Sequence, residues 1–207
     1  MSIYQHIPIS FFVQYKDHRL ETNVLGLNKY TNQNVWHYSL HENVDNIPLS
    51  DLEGFAIKNN GITVAVYENS IKIYNDPFSS IPVYIYKKNE TIYVFSDFLQ
   101  YYRLSGNTQN IDQVGLWEII LYESAIGSRT LYKELYQLPS ASKISIHKKT
   151  LNFTIDRYWD FAILENTGIH SEEKAAQGLF ERLDALFSKI DISQNYLLGI
   201  SGGMDSR

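Results

Sequence analysis

The chain ends in a short glycine-rich segment at 197–207, with the sequence LLGISGGMDSR. Its two adjacent glycines allow backbone N–H groups to approach an oxyanion, because no Cβ atom stands in the way. Serine hydroxyls flank the glycines, and a helix that begins near Asp205 would direct its positive end at a bound phosphate. The segment has neither the lysine nor the spacing of a Walker A loop. It therefore predicts a phosphate site of another kind.

The residues before this loop predict the elements that would position it. The apolar run at 196–200 is too short for a helix and indicates a buried strand that leads into the glycines. A helix is predicted to begin at Ser171, with Glu172 and Glu173 in its first turn, where the helix dipole favours negative charge. Its apolar positions recur at helical spacing. They are Ala175, Leu179, Leu183, Leu186 and Ile190.

Up to about residue 160 the hydrophobic pattern has mainly a period of two, which is typical of half-buried strands. Short β-branched or aromatic runs at 62–67, 70–74, 83–86 and 91–95 are separated by turn-forming residues. Connections this short predict antiparallel pairing. A further hairpin is predicted from 143–147 and 152–156.

One helix is predicted within this strand-rich part, over 113–122, with Asp112 as its N-cap. Val114, Trp117, Ile120 and Leu121 share one face of this helix. The predicted fold class is therefore α+β.

Composition narrows the functional classes. The 207 residues are 44% hydrophobic and 14% aromatic, enough for a sizeable core. The net charge of −5 argues against a nucleic-acid or anionic-membrane surface, and the basic cluster at 147–149 is interpreted as a solvated turn. There is no cysteine, no signal peptide is apparent, and no apolar run is long enough to span a membrane. We therefore expect a soluble cytoplasmic protein.

Two histidines, His37 and His41, stand four residues apart, a spacing that on a helix can seat a metal ion. The surrounding residues carry no helical signal and supply no third ligand. Both histidines are therefore predicted to lie on the surface or in a loop.

The order strand–S-G-G-x-D-S resembles the pyrophosphate-binding PP-loop of the ATP pyrophosphatases. In that family the loop holds the β- and γ-phosphates of ATP while the carboxylate of the acyl substrate attacks the α-phosphate, which gives an acyl-adenylate and pyrophosphate. By this resemblance Asp205 also helps to position Mg²⁺, and Arg207 stands where many members have Ser or Thr. The resemblance implies these pyrophosphate contacts: Ser201, Gly202, Gly203, Asp205 and Ser206.

Further motifs resemble asparagine synthetase. The stretch DPFSSIPVY at 76–84 is similar to the RDPFG-x-x-PLYY hairpin of its N-terminal glutaminase domain. RTLYKELYQLP at 129–139, followed by Tyr158 and Trp159, is similar to its RT-L/F-F/Y-x-x-I/V-x-x-LPPG…YW stretch. The segments at 52–55 and 95–98 match shorter motifs. The resemblance implies an N-terminal nucleophile (Ntn) type αββα sandwich of antiparallel sheets, followed by the first helix and strand of a truncated α/β PP-loop domain.

The departures from the family concern its chemistry. Glutamine hydrolysis there uses a cysteine directly after Met1, and this chain has Ser2 at that position and no cysteine anywhere. The glutamine-binding NGEIYN-type signature is absent before 52. Asn75 and Ser79 stand where the family has Arg and Gly. The resemblance therefore implies a glutaminase-like fold that has lost its nucleophile.

These observations predict a glutaminase-like domain at 1–160, a linker at 161–170 and the start of an ATP-binding domain at 171–207. The leading hypothesis is the N-terminal part of an AMP-forming amide ligase that uses ATP and Mg²⁺ on a carboxylate and an amine, neither identified. This chain is expected to be inactive alone, and a homodimer is one expected assembly. A non-catalytic binding or scaffold module is the alternative. A weaker alternative is an N-terminal hydrolase that uses Ser2, activated by its own amine.

Overall fold

Two antiparallel sheets and four helices make up the part of the chain that the structure describes. The strands are β1 (Ser10–Lys16), β2 (Arg19–Leu25), β3 (Asn28–Asn32), β4 (Val35–Ser39), β5 (Ile62–Val66), β6 (Ser70–Asn75), β7 (Tyr84–Lys88), β8 (Thr91–Phe95), β9 (Leu135–Gln137), β10 (Ser142–His147) and β11 (Phe153–Arg157). The helices are α1 (Leu52–Lys58), α2 (Leu99–Ser105), α3 (Gln113–Tyr122) and α4 (Glu172–Phe187).

This computed structural model describes residues 10–17, 19–25, 28–32, 34–39, 44, 46–106, 110–160, 171–188, 190, 193 and 195. The chain divides into two units, Met1–Phe161 and Ala162–Arg207. The predicted linker at 161–170 and the predicted strand at 196–200 lie outside the described residues.

Each sheet joins strands that are distant in the sequence. The five-stranded sheet has the order β2-β1-β8-β7-β9, and the six-stranded sheet has the order β11-β10-β6-β5-β4-β3. Every described strand pair is antiparallel, in registers such as Phe12 opposite Phe95 and Lys143 opposite Tyr74. The predicted antiparallel α+β class is therefore confirmed.

Each sheet turns one face toward a core that the two sheets share, because the side chains of its strands alternate. Ile71 and Ile73 on β6 belong to the same buried cluster as Ile92 and Val94 on β8, so this cluster lies between the two sheets. The intervening residues face the other way, because successive side chains of a strand point to opposite faces. Tyr74, for example, belongs to a second cluster.

A helix covers the outer face of each sheet. Phe55 of α1 packs with Tyr74 and Ala65 of the six-stranded sheet. Tyr101 of α2 packs with Tyr86 of the five-stranded sheet, at a ring-centroid distance of 5.2 Å. The layers therefore run α1, six-stranded sheet, five-stranded sheet, α2.

The four strand runs at 62–95 and the hairpin of β10 and β11 are confirmed as predicted. Helices α1 and α2 are additional to the two predicted helices. Each has seven residues, which is too short for a clear 3.6-residue period. Helix α1 has a local signal, because the Asp51 side chain accepts a hydrogen bond from the Gly54 N–H at 2.8 Å.

Helix α3 begins as predicted, with Asp112 Oδ1 accepting from the Val114 N–H at 3.0 Å. Its Gly115 is buried, and a Cβ atom there would lie 2.1 Å from the Thr130 carbonyl oxygen. The helix therefore passes very close to the 129–130 backbone. Its apolar face, in contrast, is exposed: Trp117 is 59% and Leu121 is 67% accessible.

Helix α4 belongs to the second unit and also begins as predicted, with Ser171 Oγ accepting from the Lys174 N–H at 3.2 Å. It ends at Phe187, so Ile190 of the predicted stripe lies beyond it. The apolar side chains of the helix are exposed. Across the described ranges, no helix combines the length and the apolar character needed to cross a membrane.

Candidate functional site

The residues predicted to carry chemistry lie outside the described part of the chain. This applies to the candidate nucleophile Ser2 and to the whole predicted phosphate loop. The loop residues concerned are Ser201, Gly202, Gly203, Asp205 and Ser206. Their roles stay predictions. The structure does describe how the stretch at 76–84, the stretch at 129–139 and Tyr158 are brought together.

Asp76 is the centre of this junction. It directly follows β6, is fully buried, and has a carboxylate surrounded by donors. Oδ1 accepts from the Phe78 N–H at 2.8 Å and from the Ser80 hydroxyl at 3.1 Å. Oδ2 accepts from the Gly61 N–H at 2.8 Å, and the Ser80 N–H lies 3.2 Å from both oxygens. These contacts make Asp76 a clamp that holds the 76–80 turn against the start of β5.

Asn75 ties the same turn to the second motif. Its side-chain Nδ2 donates to the Ser79 hydroxyl oxygen at 2.9 Å and to the Pro139 carbonyl at 2.7 Å. Its Oδ1 accepts from the Ser142 N–H at 2.8 Å. Because Asn75 is fully buried, each of these bonds replaces one that water would otherwise make.

Tyr158 also contacts this turn, because its hydroxyl donates to the Asn75 carbonyl. Burial raises the pKa of Tyr158 above its usual range, and the nearby carboxylates of Asp76 and Glu53 add to the effect. The hydroxyl therefore stays protonated and serves as a donor. Asn75, Asp76, Pro139 and Tyr158 together form what we call the motif junction.

Ser79 at this junction adopts a left-handed backbone conformation, with φ of 48°. This conformation favours glycine, because a Cβ atom crowds the neighbouring backbone there. In this chain the Ser79 hydroxyl compensates by accepting the Asn75 hydrogen bond.

A buried histidine lies on the face of the six-stranded sheet that α1 covers. The prediction that His37 lies on the surface or in a loop is wrong: it belongs to β4 and is fully buried. Its ring meets that of Phe55 edge-on at 5.0 Å, and Nδ1 lies 2.9 Å from Thr63 Oγ1. His41 lies outside the described residues.

Burial lowers the pKa of His37 to about 4, although the Asn60 backbone and the Asp76 carboxylate act in the opposite direction. His37 is therefore neutral at physiological pH. The sequence carried one signal of its burial, since His37 alternates with Val35 and Ser39 along one strand face. Alternation alone does not decide whether a polar residue is covered.

The segment at 129–139 is also held from the other side of the molecule. Tyr101 donates to Glu134 Oε1 at 2.8 Å, and the hydroxyls of Tyr102 and Tyr132 lie 2.7 Å apart. The hydrogen bond with Tyr102, together with burial, raises the pKa of Tyr132 to about 12. These contacts join α2 to the segment that delivers Pro139 to the motif junction.

The described geometry assigns the motif junction a structural role. Three backbone N–H groups and the Ser80 hydroxyl donate to the Asp76 carboxylate, and His37 and Thr63 are closed to solvent. Within the described ranges, no three His, Asp or Glu side chains are grouped as a metal site would require.

A scan against protein-family models found no matching family, and a search of the curated proteins found no significant match.

Proposed function

We propose that this chain is the N-terminal part of an asparagine synthetase-like, AMP-forming amide ligase whose glutaminase-like domain has lost its nucleophile. The observation that carries the proposal is the motif junction. The stretches at 76–84 and 129–139, which resemble this family, are joined by the hydrogen bond from the Leu138 N–H to the Val83 carbonyl at 2.8 Å. Tyr158 donates to the carbonyl of Asn75, the residue directly before the first stretch. These contacts between distant parts of the chain support the resemblance.

The layer order of the first unit also supports the proposal, because an Ntn-type sandwich has helices outside two stacked antiparallel sheets. Such an enzyme hydrolyses glutamine with an N-terminal cysteine, and this chain has none. The proposed parent protein therefore takes its amine from the substrate or from free ammonia. We assign it to the cytoplasm, a reducing compartment in which an absence of cysteine costs nothing.

The ligase chemistry is assigned to the phosphate loop. Ser201, Gly202, Gly203 and Ser206 would hold the pyrophosphate portion of ATP, and Asp205 would help to position Mg²⁺. The carboxylate oxygen of the acyl substrate would attack the α-phosphate of ATP and displace pyrophosphate. The amine would then attack the acyl carbon of the resulting adenylate and release AMP. The 207-residue chain alone has no assigned site for the acyl substrate, so we expect it to be inactive by itself.

The test is ATP–pyrophosphate exchange by the parent protein with candidate carboxylates. We expect exchange that depends on the carboxylate and is lost in Asp205→Ala. The matched control is Asp156→Ala, which removes an exposed carboxylate on β11 and should leave exchange unchanged. Equal exchange in both variants would remove the loop assignment. Glutamine hydrolysis by the pure protein would contradict the loss of the glutaminase, and its dependence on Ser2 would favour the N-terminal hydrolase instead.

A non-catalytic binding module is the second candidate, and helix α3 favours it. A helix this apolar is usually buried, yet Trp117, Ile120 and Leu121 are all more than half exposed. Such a face is suited to covering by another protein surface, including a second copy in a homodimer. Sedimentation of the chain at rising concentration tests the homodimer, with Trp117→Lys as the disrupting variant. A monomer at every concentration would exclude the homodimer.

A further inference from the structure

Three hairpin tips meet at one end of the first unit and surround a cavity of about 400 Å³. The tips connect β1 to β2, β7 to β8, and β10 to β11. The first two belong to the five-stranded sheet and the third to the six-stranded sheet. We call this space the tip cavity. It is lined by Tyr15, Lys16, Asp17, Lys87, Asn89, Glu90, Lys148, Lys149, Thr150 and Leu151.

The charge of the tip cavity is opposite to that of the chain. Four lysines line it against two carboxylates, whereas the whole chain has a net charge of −5. The cavity beside α1 is similar in size, about 430 Å³, and has balanced charges, with Asp51 and Lys58 in its wall. Ammonium groups facing one cavity repel one another, and an anion that enters relieves this repulsion.

Direct ion pairing within the described wall is weak. Asp17 approaches Lys16 only to 3.9 Å, and both side chains are more than half exposed, so their attraction is weak. Within the described ranges, neither Lys148 nor Lys149 forms an ion pair with another described residue. No described carboxylate therefore competes with a ligand for their ammonium groups.

The lysines stand on tips that are held in place. The Lys148 N–H donates to the Asn69 carbonyl at 3.0 Å, which fixes the β10–β11 tip to the β5–β6 turn. Lys87 Nζ donates to the Leu151 carbonyl at 2.9 Å, which joins the tips of the two sheets. Leu151 itself has a φ of 53°, an uncommon conformation for a bulky residue. The backbone beneath the lysines is thus fixed by the fold, so that a ligand has only their side chains to order.

From this convergence we propose that the tip cavity binds a compact multivalent phosphate anion, either free or as the phosphate chain of a nucleotide. The volume suits a small ligand. Lysines dominate the described lining, together with the Asn89 amide and the Thr150 hydroxyl, and the one aromatic residue among these described residues, Tyr15, is buried. This site was not apparent from the sequence, because only Lys148 and Lys149 are adjacent in it. The fold brings Lys16 and Lys87 to the same cavity.

The test is a titration of the ¹⁵N-labelled 207-residue chain with inorganic pyrophosphate, followed by amide NMR at low ionic strength. We expect saturable shifts of the Asn89, Thr150 and Leu151 amides. Lys148→Glu combined with Lys149→Glu should weaken binding by at least about tenfold, because two attractive charges become repulsive. Lys133→Glu is the control, because it makes the same charge change at one exposed lysine outside the cavity. This variant should bind pyrophosphate as the parent chain does.

A parallel titration with ADP distinguishes the two sources of phosphate. Binding of ADP at the same amides, with affinity no tighter than that of pyrophosphate, supports recognition of the phosphate chain alone. No shift with ADP restricts the ligand to free polyphosphate. Equal affinity of the double variant and the parent chain would overturn the proposal, as would shifts confined to 201–206. The inference does not rest on the ligase, so either can fail without the other.

Discussion

The Nδ1 atom of His37 on β4 lies 2.9 Å from the Oγ1 atom of Thr63, its direct partner across the strand pair on β5. Both side chains are fully buried on the sheet face that α1 covers. A histidine held neutral in this way makes the stability of the first unit depend on pH.

The free energy of unfolding is expected to fall as pH drops from about 6.5 to about 4. Burial lowers the pKa of His37 from 6.5 to about 4, so in this window the unfolded chain takes up a proton that the folded chain refuses. Above pH 6.5 this contribution is complete and constant. The loss amounts to roughly 3 kcal/mol across the window. Urea unfolding at a series of pH values measures it.

The matched variants for this pH effect are His37→Gln and His147→Gln. The first should flatten the pH dependence between 6.5 and 4, although it also lowers stability at pH 7. The second changes an exposed histidine at a hairpin tip and should keep the slope of the parent chain. Equal slopes in all three proteins would show that His37 is not the group responsible.

Removal of the Asp76 carboxylate should be strongly destabilising. Asp76→Ala leaves the Gly61, Phe78 and Ser80 N–H groups without their acceptor. Each buried donor that loses its acceptor costs about 1–3 kcal/mol. We expect a loss of at least about 3 kcal/mol in chemical denaturation. Asp97→Ala is the control, since Asp97 Oδ1 accepts from the Leu99 N–H at an exposed site, and it should cost about 1 kcal/mol. Similar losses in both variants would contradict the clamp.

Alanine substitutions at Gly61 and Gly106 distinguish the cost of a steric clash from the cost of a left-handed backbone. Both have positive φ, but a Cβ atom at Gly61 would lie 2.2 Å from the Tyr38 carbonyl oxygen, whereas at Gly106 it meets nothing within 4 Å. Gly61→Ala should therefore cost about 3 kcal/mol or more, and Gly106→Ala about 1 kcal/mol. Thermal unfolding of the two variants gives the comparison, and a reversed order would refute the close approach of β4 and Gly61.

Substitutions at Ser79 test the left-handed turn of the motif junction. Ser79→Gly relieves the backbone but removes the acceptor of the Asn75 hydrogen bond, so the two effects should cancel to within about 1 kcal/mol. Ser79→Val keeps the unfavourable φ, adds a β-branched side chain and should cost about 2 kcal/mol. In Ser70→Val the same side chain enters a strand, where it is favoured. If Ser70→Val loses as much stability as Ser79→Val, the turn is not the cause.

Sequence reasoning succeeded where the signal is local. The strands at 62–95 and the caps Asp112 and Ser171 follow from short-range patterns, because alternation and capping act within a few residues. The long-range partners of β1 and β6 could not be deduced, because the pairing of Phe12 with Phe95 or of Ile73 with Ile144 depends on the whole fold.

The same limit applies to the candidate sites. The sequence motifs of the resembled family were visible as strings, but the bonds from Asn75 to Pro139 and from Tyr158 to Asn75 were not. His37 was misjudged because its neighbours on α1 come from a different part of the chain. The roles predicted for Ser2 and the terminal loop stay predictions.

The pairing of β1 with β8 has a consequence for synthesis on the ribosome. The strands β3, β4, β5 and β6 are neighbours in both sequence and sheet, so they can associate as they emerge. The β1–β2 hairpin emerges before these strands but lacks a partner for the inner edge of β1 until residues 92–95 have been made. That edge is exposed to other nascent chains during the interval, and pairing over such a distance is slow. Aggregation during expression should therefore originate at β1, the strand whose folding must wait longest.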